Sequence, residues 1–301
     1  MSLTFEINHP TPVRDVLAKY ADLGLDWRYL SSNKPFVPKE AEIKLPLDPA
    51  LSHQATTLGM AFDYAARFRI AKTMGKVAQK ASLTNLVADQ AAIVAGMDRI
   101  YTLMSSQVEN LVNEAKETVR FYYANKASLT KMLQAAYVLA LFEGVARSGH
   151  FFFGSDELIP IVIEIPKGMI EELQRLLGLF ESSFLPLVRP DSVVVFNPKF
   201  AVPAPIGGSD GDIYLDGTLY DFKVVSGFAN WKKEEEQILG YYYLDRLAKE
   251  KKANITSFLK DCPILHLAFY EARLGEVVVC DVTGDEPFAQ GYEELSSLLA
   301  K

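Results

Sequence analysis

The sequence predicts an α/β fold, a β-sheet core flanked by helices, with an additional helical subdomain ahead of the core. Residues 208–223 have the pattern of a tight β-hairpin, and residues 232–250 carry apolar side chains at helical spacing. Two further strands are indicated at 264–270 and 276–282. Residues 58–147 are mostly helical in pattern and supply the additional subdomain.

Three regions are predicted along the 301 residues, which are enough for one large domain or two. Residues 1–57 form an irregular N-terminal extension that prolines interrupt. Residues 58–150 form the helical subdomain, and residues 151–301 form the core. Further predicted elements are helices at 12–22, 58–80, 86–124, 128–147 and 168–184 and a first core strand at 192–197.

Composition is typical of an intracellular enzyme, and we expect a cytoplasmic location. Two cysteines are too few for a disulfide framework, and no Cys/His cluster has zinc spacing. There is no signal-peptide pattern and no apolar run of about 18 residues, so neither export nor a membrane span is expected. The net charge of −7 argues against a large nonspecific nucleic-acid surface.

The hairpin at 208–223 brings charged side chains to one face. Asp216-Gly217 is a favoured two-residue turn because both positions tolerate positive φ. With this turn, Ile213 pairs with Tyr220 and Asp212 with Asp221, and the same register sets Asp210 opposite Lys223. Side chains alternate along a strand, so the three aspartates and Lys223 should share a face. Ile213 and Tyr220 should point the other way, into a core.

Two carboxylates directly opposed across a hairpin repel each other, so Asp212 and Asp221 need a nearby cation. Lys223 could be that cation, and so could a metal ion. Clustered carboxylates suit Mg²⁺, which keeps several waters for substrate oxygens. Lys223 would then stand beside a metal-bound water, which it could orient or deprotonate. The alternative is a solvent-exposed face whose charges offset one another.

The following helix contains Gln237-Ile-Leu-Gly-Tyr241, which places Gln237 and Tyr241 on one face with Lys233 a turn earlier. An Asp on one strand, Asp-x-Lys on the next and Gln-x-x-x-Tyr on the helix resemble the PD-(D/E)xK nuclease superfamily, RecB-type branch. The resemblance covers roughly residues 190–285. It implies a restriction-endonuclease-like core with a mixed central sheet.

The resemblance implies a Mg²⁺- or Mn²⁺-dependent nuclease whose catalytic residues are Asp212, Asp221, Lys223, Gln237 and Tyr241. Asp212 and Asp221 would bind the metal, and the backbone carbonyl of Phe222 would add an oxygen ligand. Lys223 would position the attacking water. Gln237 and Tyr241 would place the strand or the lysine, and Asp210 would hold Lys223 or add a ligand.

The superfamily's further metal ligand, on the first core helix, has two main candidates. Gly59-Met-Ala-Phe-Asp63 resembles a RecB-type motif, with Asp63 where a histidine would stand and Arg67 where a glutamate is usual. Glu143 is the second candidate, although an acid with Arg147 one turn on more often forms an ion pair. Glu171 and Glu172 are further candidates.

Nucleic-acid contacts are predicted from a helical row of basic residues, Arg69, Lys72, Lys76 and Lys80, together with Lys233. The row could track phosphates, each contact releasing counterions. A solvated helix face explains it equally well. Neither alternative needs a membrane.

The predicted function is hydrolysis of phosphodiester bonds in nucleic acid, with DNA as the expected substrate. One alternative is a noncatalytic module that retains the nuclease fold to bind nucleic acid or a partner. Another is an assembly protein whose helical subdomain packs on a protein partner or on a second copy. An ion bound at Asp212 and Asp221 would favour the enzyme, and a long exposed apolar face at 86–124 would favour the assembly protein.

Overall fold

The structure is a computed structural model of the chain. It describes residues 3–22, 25–97, 102–150, 161–200, 209–250, 259, 261–283 and 286–299. The helices are α1 (Leu3–Asn8), α2 (Pro12–Ala21), α3 (Ala55–Met74), α4 (Lys76–Ala81), α5 (Ala91–Met97), α6 (Thr102–Tyr123), α7 (Leu129–Ser148), α8 (Met169–Ser183), α9 (Trp231–Glu250) and α10 (Glu286–Leu299). The strands are β1 (Arg28–Tyr29), β2 (Val194–Phe196), β3 (Lys199–Phe200), β4 (Ser209–Asp210), β5 (Ile213–Leu215), β6 (Thr218–Lys223), β7 (His266–Glu271) and β8 (Glu276–Asp281).

The chain forms two compact units, and their boundaries differ from the predicted ones. The sheet unit comprises residues 1–43 and 192–301, and the helical unit comprises residues 44–191. The N-terminal segment therefore belongs with the sheet, because α1 and α2 pack on α9. Helix α8 belongs with the helical unit, because it packs on α3 and α7. These contacts join distant parts of the chain, so spacing along the sequence could not place the boundaries.

The sheet unit confirms the α/β prediction with a mixed sheet flanked by helices. Within the described residues the sheet has six strands in the order β1-β8-β7-β6-β5-β2. Among these six described strands, β6 and β7 pair in parallel and the other neighbours are antiparallel. The parallel pair is connected through α9, as a crossover between parallel strands requires. Strands β3 and β4 form a separate two-stranded ladder.

The predicted hairpin between β5 and β6 is confirmed in its turn and its register. Asp216 and Gly217 have φ values of 46° and 92°, as a type I′ turn requires. Ile213 pairs with Tyr220 and Leu215 with Thr218. The Asp216 carboxylate also accepts a hydrogen bond from the Ser192 hydroxyl over 2.6 Å, which fixes the turn to the segment before β2.

The core of the sheet unit lies between α9 and one face of the sheet. Leu219, Leu267 and Phe269 are fully buried on this face and cluster with Ile238 and Leu239 of α9. Each such side chain contributes about 1.5–3 kcal/mol when it is buried fully. The same sheet face carries the predicted charged residues, so α9 both closes the core and borders the charged end of β6.

The helical unit is built on α3 and α7, which pack against each other, with α6 and α8 also packed on α7. The predicted helix at 58–80 is split, because Gly75 has a φ of 93° and ends α3 at Met74. The predicted long helix at 86–124 is also divided. A 3₁₀ turn at 87–90 and α5 precede α6, and residues 98–101 lie outside the described ranges.

Helix α7 has the length and apolar composition that a membrane span would need, and among the described residues it is the one such helix. Of its apolar window, 56% is buried. Its neighbours in the helical unit are α3, α5, α6 and α8. This environment is that of a core helix.

Candidate active site

The centre of the candidate site is Lys223, at the end of β6. Its ammonium group lies 2.5 Å from Asp221 Oδ2. It also donates a hydrogen bond to Gln237 Oε1 of α9 over 3.0 Å. The lysine side chain is only 15% exposed, so this pair of contacts is largely shielded from water. Strand β6 and helix α9 therefore hold three of the predicted residues together.

Asp212 stands just before β5, beside the same strand. Its Oδ2 accepts a hydrogen bond from the backbone N–H of Phe222 over 2.6 Å. The Asp212 backbone carbonyl accepts from Asn197 N, so both its main chain and its side chain are held. The carboxylate of Asp212 thus reaches across the hairpin to the backbone of Phe222, the residue between Asp221 and Lys223.

Two further carboxyl groups, which the sequence motif does not include, lie near Lys223. Glu271 ends β7 and pairs in register with Lys223 across the parallel ladder, which places both side chains on one sheet face. Glu234 lies on α9 one turn before Gln237. Glu271 is 1% exposed and Glu234 is 9% exposed. The i, i+3 spacing of Glu234 and Gln237 was visible in the sequence, whereas Glu271 depended on a strand pairing that was not.

Burial and charge act in opposite directions on these groups. Burial lowers the pKa of Lys223, but the charges of Asp221, Glu234 and Asp212 more than offset this, so its pKa is raised and it stays an ammonium. Burial raises the pKa of Glu271 well above its usual range, and the charge of Glu234 raises it further. Burial also raises the pKa of Glu234, although Lys223 opposes the change. The site is therefore short of positive charge.

The carboxylate oxygens around Lys223 are the kind of ligand that a hard cation such as Mg²⁺ prefers. Glu234 Oε2 and Glu271 Oε1 are buried oxygens that accept no hydrogen bond from the described residues. However, within those ranges no three His, Cys, Asp or Glu side chains are grouped so as to hold a metal ion as they stand. Mg²⁺ does not need three protein ligands, since it is usually held by one or two carboxylates and keeps several waters. That Asp212 and Asp221 form such a pair stays a prediction.

Asp210 does not lie opposite Lys223, and the prediction that it does is wrong. Asp210 belongs to β4 and pairs in register with Lys199 of β3. The hairpin ladder ends because the chain turns at Gly211, whose N–H donates to the Pro198 carbonyl. A β-carbon at this glycine would lie 3.1 Å from Leu219, so the turn is close-packed.

Tyr241 shares the helix face of Gln237, but its ring lies in the core. It is 4% exposed and stacks on Phe200 of β3 with a centroid separation of 5.6 Å. Its observed contact therefore links α9 to the β3–β4 ladder. The neighbouring Tyr242 and Tyr243 are buried as well, so in this structure neither is available to stack on a base.

The two main candidates for the further metal ligand belong to the helical unit. Asp63 of α3 pairs with Arg67, with Oδ2 and Nη2 2.7 Å apart. Glu143 of α7 pairs with Arg147, with Oε1 and Nε 2.6 Å apart. Both acids act on the buried Tyr64, whose pKa is raised mainly by burial and then by the charge of Glu143. Both acids are thus engaged with an arginine one turn later on their own helix, and their role as ligands stays a prediction.

The third set of candidate acids divides between surface and interior. Glu171 is exposed on α8, and the adjacent Glu172 is buried. Glu172 pairs with Arg175 one turn later on the same helix. Its charge is thus already offset within the helical unit.

The predicted basic row is not a continuous phosphate-binding stripe. Arg69 pairs with Glu181 at 2.6 Å, and Lys72 donates to the Tyr122 carbonyl over 3.0 Å. Both side chains are thus engaged inside the helical unit. Lys76 and Lys80 are exposed but follow the break at Gly75. Lys233 lies on α9, where it donates to Asn8 Oδ1 over 3.2 Å.

Comparison with known proteins finds no matching family model, no similar curated protein and no similar solved structure.

Proposed function

We propose that the chain is a Mg²⁺- or Mn²⁺-dependent nuclease of the PD-(D/E)xK type, RecB branch, that hydrolyses phosphodiester bonds in nucleic acid, with DNA as its substrate. Asp212, Asp221, Lys223 and Gln237 are the residues proposed to carry the activity. The order of the elements along the chain supports the proposal. Asp212 comes just before β5, Asp221 and Lys223 lie on β6, and Gln237 lies on α9, which is the order of these motifs in that superfamily.

The observation that carries the proposal is the position of the Lys223 ammonium between Asp221 and Gln237. The distances are 2.5 Å to Asp221 Oδ2 and 3.0 Å to Gln237 Oε1. A largely buried lysine beside several carboxylates lowers the stability of the fold unless the charges are paired. Such an arrangement is typical of a functional site, where charges are arranged for chemistry.

The chain's own groups would divide the work as follows. Asp212 and Asp221 would hold the metal ion, which when bound supplies an activated water and neutralises charge on the scissile phosphate. Lys223, kept as an ammonium by the surrounding carboxylates, would stabilise negative charge that develops on the phosphoryl group. Its raised pKa disfavours a role as general base. Gln237 would hold the lysine in position through its Oε1.

A cleavage assay tests the proposal. Linear, circular and single-stranded DNA and RNA would be incubated with the protein in Mg²⁺, Mn²⁺ or EDTA. We expect cleavage of DNA with either metal and none in EDTA. No cleavage of any substrate under any metal condition would overturn the enzyme assignment.

The second candidate function is a noncatalytic module that binds nucleic acid or a partner. The closed ion pair of Asp221 with Lys223 favours it, because the pair occupies a carboxylate that a metal ion would need. In such a module the hydrogen bond between Lys223 and Gln237 would hold β6 to α9 and would take no part in catalysis. Tight DNA binding in EDTA combined with no cleavage in Mn²⁺ would support this alternative.

A further inference from the structure

A small cavity lies between α1 and α9, next to the candidate active site. Its volume is about 90 Å³, and it is lined by Thr4, Ile7, Asn8, Lys233, Glu234 and Gln237. One water needs about 10–15 Å³ of such volume, so the cavity has room for several waters or for a group of the size of a phosphate.

The polar groups around the cavity are mostly hydrogen-bond donors. Lys233 carries three N–H groups, and one of them donates to Asn8 Oδ1. Asn8 in turn donates from Nδ2 to the Thr4 carbonyl over 2.9 Å, which fixes its amide with the oxygen toward Lys233. The Thr4 hydroxyl is a further donor. An anion with several oxygens would satisfy these groups together.

Gln237 joins this cavity to the candidate active site. Its Oε1 accepts from Lys223, which leaves its NH₂ group as the end of the amide that can donate elsewhere. Among the described residues this NH₂ group has no hydrogen-bond partner. The same side chain can therefore hold Lys223 with one end and a ligand oxygen in the cavity with the other.

Glu234 is the one acidic side chain in the lining of this cavity. Burial raises its pKa, which favours the uncharged carboxyl, although Lys223 opposes the change. Lys233 lies beside the cavity and donates to the uncharged Asn8. The donor groups of Thr4, Lys233 and Gln237 therefore determine what the lining can bind, and they suit the oxygens of an anion.

We propose that the cavity formed by Thr4, Asn8, Lys233 and Gln237 binds a backbone phosphate of the nucleic-acid strand, next to the phosphodiester that is cut. The assignment rests on the proposed nuclease function for the identity of the strand. It gives the N-terminal helix α1 a role in substrate binding that the motif-bearing elements alone do not indicate.

The test measures binding in EDTA, where no cleavage occurs. A fluorescently labelled, short single-stranded oligothymidylate would be titrated with wild type, Lys233→Ala, Asn8→Ala and the matched control Lys232→Ala. Lys232 is the adjacent lysine of α9 and pairs with Asp22 away from the cavity. Circular dichroism and thermal unfolding would establish that each variant is folded, and Thr4→Val provides a second variant that keeps the shape of the side chain.

We expect Lys233→Ala to weaken binding about three- to tenfold, as the loss of one charge-assisted contact should. The slope of log K against log salt should fall by about 0.7, because one phosphate contact on a single strand is lost. Asn8→Ala and Thr4→Val should weaken binding with little change in that slope. Lys232→Ala should change neither quantity.

Equal effects of Lys233→Ala and Lys232→Ala would overturn the phosphate site. So would tighter Mn²⁺ binding by Lys233→Ala than by wild type, since that result would mean that the cavity holds a cation. Wild-type cleavage with Mn²⁺, measured in parallel, reports on the nuclease function separately. If cleavage is absent but binding still depends on Lys233, the phosphate site stands and the catalytic role fails.

Discussion

The Lys223 ammonium donates a hydrogen bond to the Gln237 amide oxygen over 3.0 Å, and this bond ties β6 to α9. The two residues are joined in space although a loop and two helical turns separate them in the chain. The same ammonium lies 2.5 Å from Asp221. Any change at one of these three side chains should therefore affect the other two.

Lys223→Ala should abolish cleavage and also destabilise the fold. The substitution removes the ammonium that offsets the buried Asp221 and Glu234, and loss of one partner of a buried ion pair costs about 3 kcal/mol. Chemical denaturation at neutral pH would measure the loss. The Lys223 side chain is only 15% exposed, so water does not screen this ion pair as it would screen a surface pair.

Lys199→Ala is the matched control, since Lys199 is also a strand lysine but pairs with Asp210 in the separate β3–β4 ladder. It should retain cleavage and lose little stability. If Lys223→Ala is as stable as Lys199→Ala, the buried ion pair is not formed in solution.

Asp221→Asn should remove metal binding and lower the stability of the metal-free protein. Asp221 is 6% exposed and neutralises Lys223, so the amide leaves the ammonium less well paired, at a cost of about 1–3 kcal/mol. A metal ion at a tenfold excess over its Kd would stabilise wild type by about 1.4 kcal/mol and the variant hardly at all. Thermal unfolding with and without Mg²⁺ measures both effects.

Asp191→Asn serves as the control, because Asp191 is an exposed aspartate in the helical unit. It should respond to Mg²⁺ as wild type does. An equal Mg²⁺ response in Asp221→Asn would show that the ion, if bound, is held elsewhere.

The sequence predicted the local part of the site well, because local rules determine it. The Asp216-Gly217 turn fixes the hairpin register through backbone conformations that few residue pairs adopt. Helical spacing likewise predicted Gln237 on one face with Lys233, and both residues line one cavity. Both relationships involve residues close in the chain, where spacing alone sets geometry.

The rest of the site depends on contacts between distant segments. Glu271 reaches Lys223 only because β7 pairs with β6 in parallel, and no turn residue specifies that register. The packing of α1 on α9 joins the first residues of the chain to the core in the same way. Asp210 was misplaced because alternation was extended through Gly211, where the chain turns between β4, which pairs with β3, and the hairpin strand β5.

Gly291→Ala should destabilise the sheet unit. A β-carbon at this position of α10 would overlap the hydroxyl of Tyr243, which is fully buried on α9. Overpacking of this kind costs about 1–3 kcal/mol. Gly178→Ala is the control, since that glycine lies inside α8 with open space around it and should gain about 0.5–1 kcal/mol. Thermal unfolding of both variants measures the difference, and a stabilised Gly291→Ala would mean that α10 does not pack on α9 as described.

Glu235 provides an optical probe of the sheet unit, because both tryptophans of the chain lie beside it. Trp27 Nε1 donates to Glu235 Oε1 over 2.6 Å, and the Trp27 and Trp231 ring centroids are 5.5 Å apart. Burial raises the pKa of Glu235 to about 7, although hydrogen bonds from both tryptophans oppose the change.

Tryptophan fluorescence should therefore follow a titration with a midpoint near pH 7. Because the folded pKa of this acid is raised, its contribution to stability is fully present below the unfolded value of about 4.3 and is lost as pH rises through 7. Glu235→Gln should abolish the fluorescence transition and flatten the fall in stability between about pH 4.3 and about pH 7, a window set by those two pKa values. Glu42→Gln, a change at an exposed glutamate, should leave both curves as in wild type. An unchanged transition in Glu235→Gln would assign the signal to another group and contradict the buried Trp27–Glu235 contact.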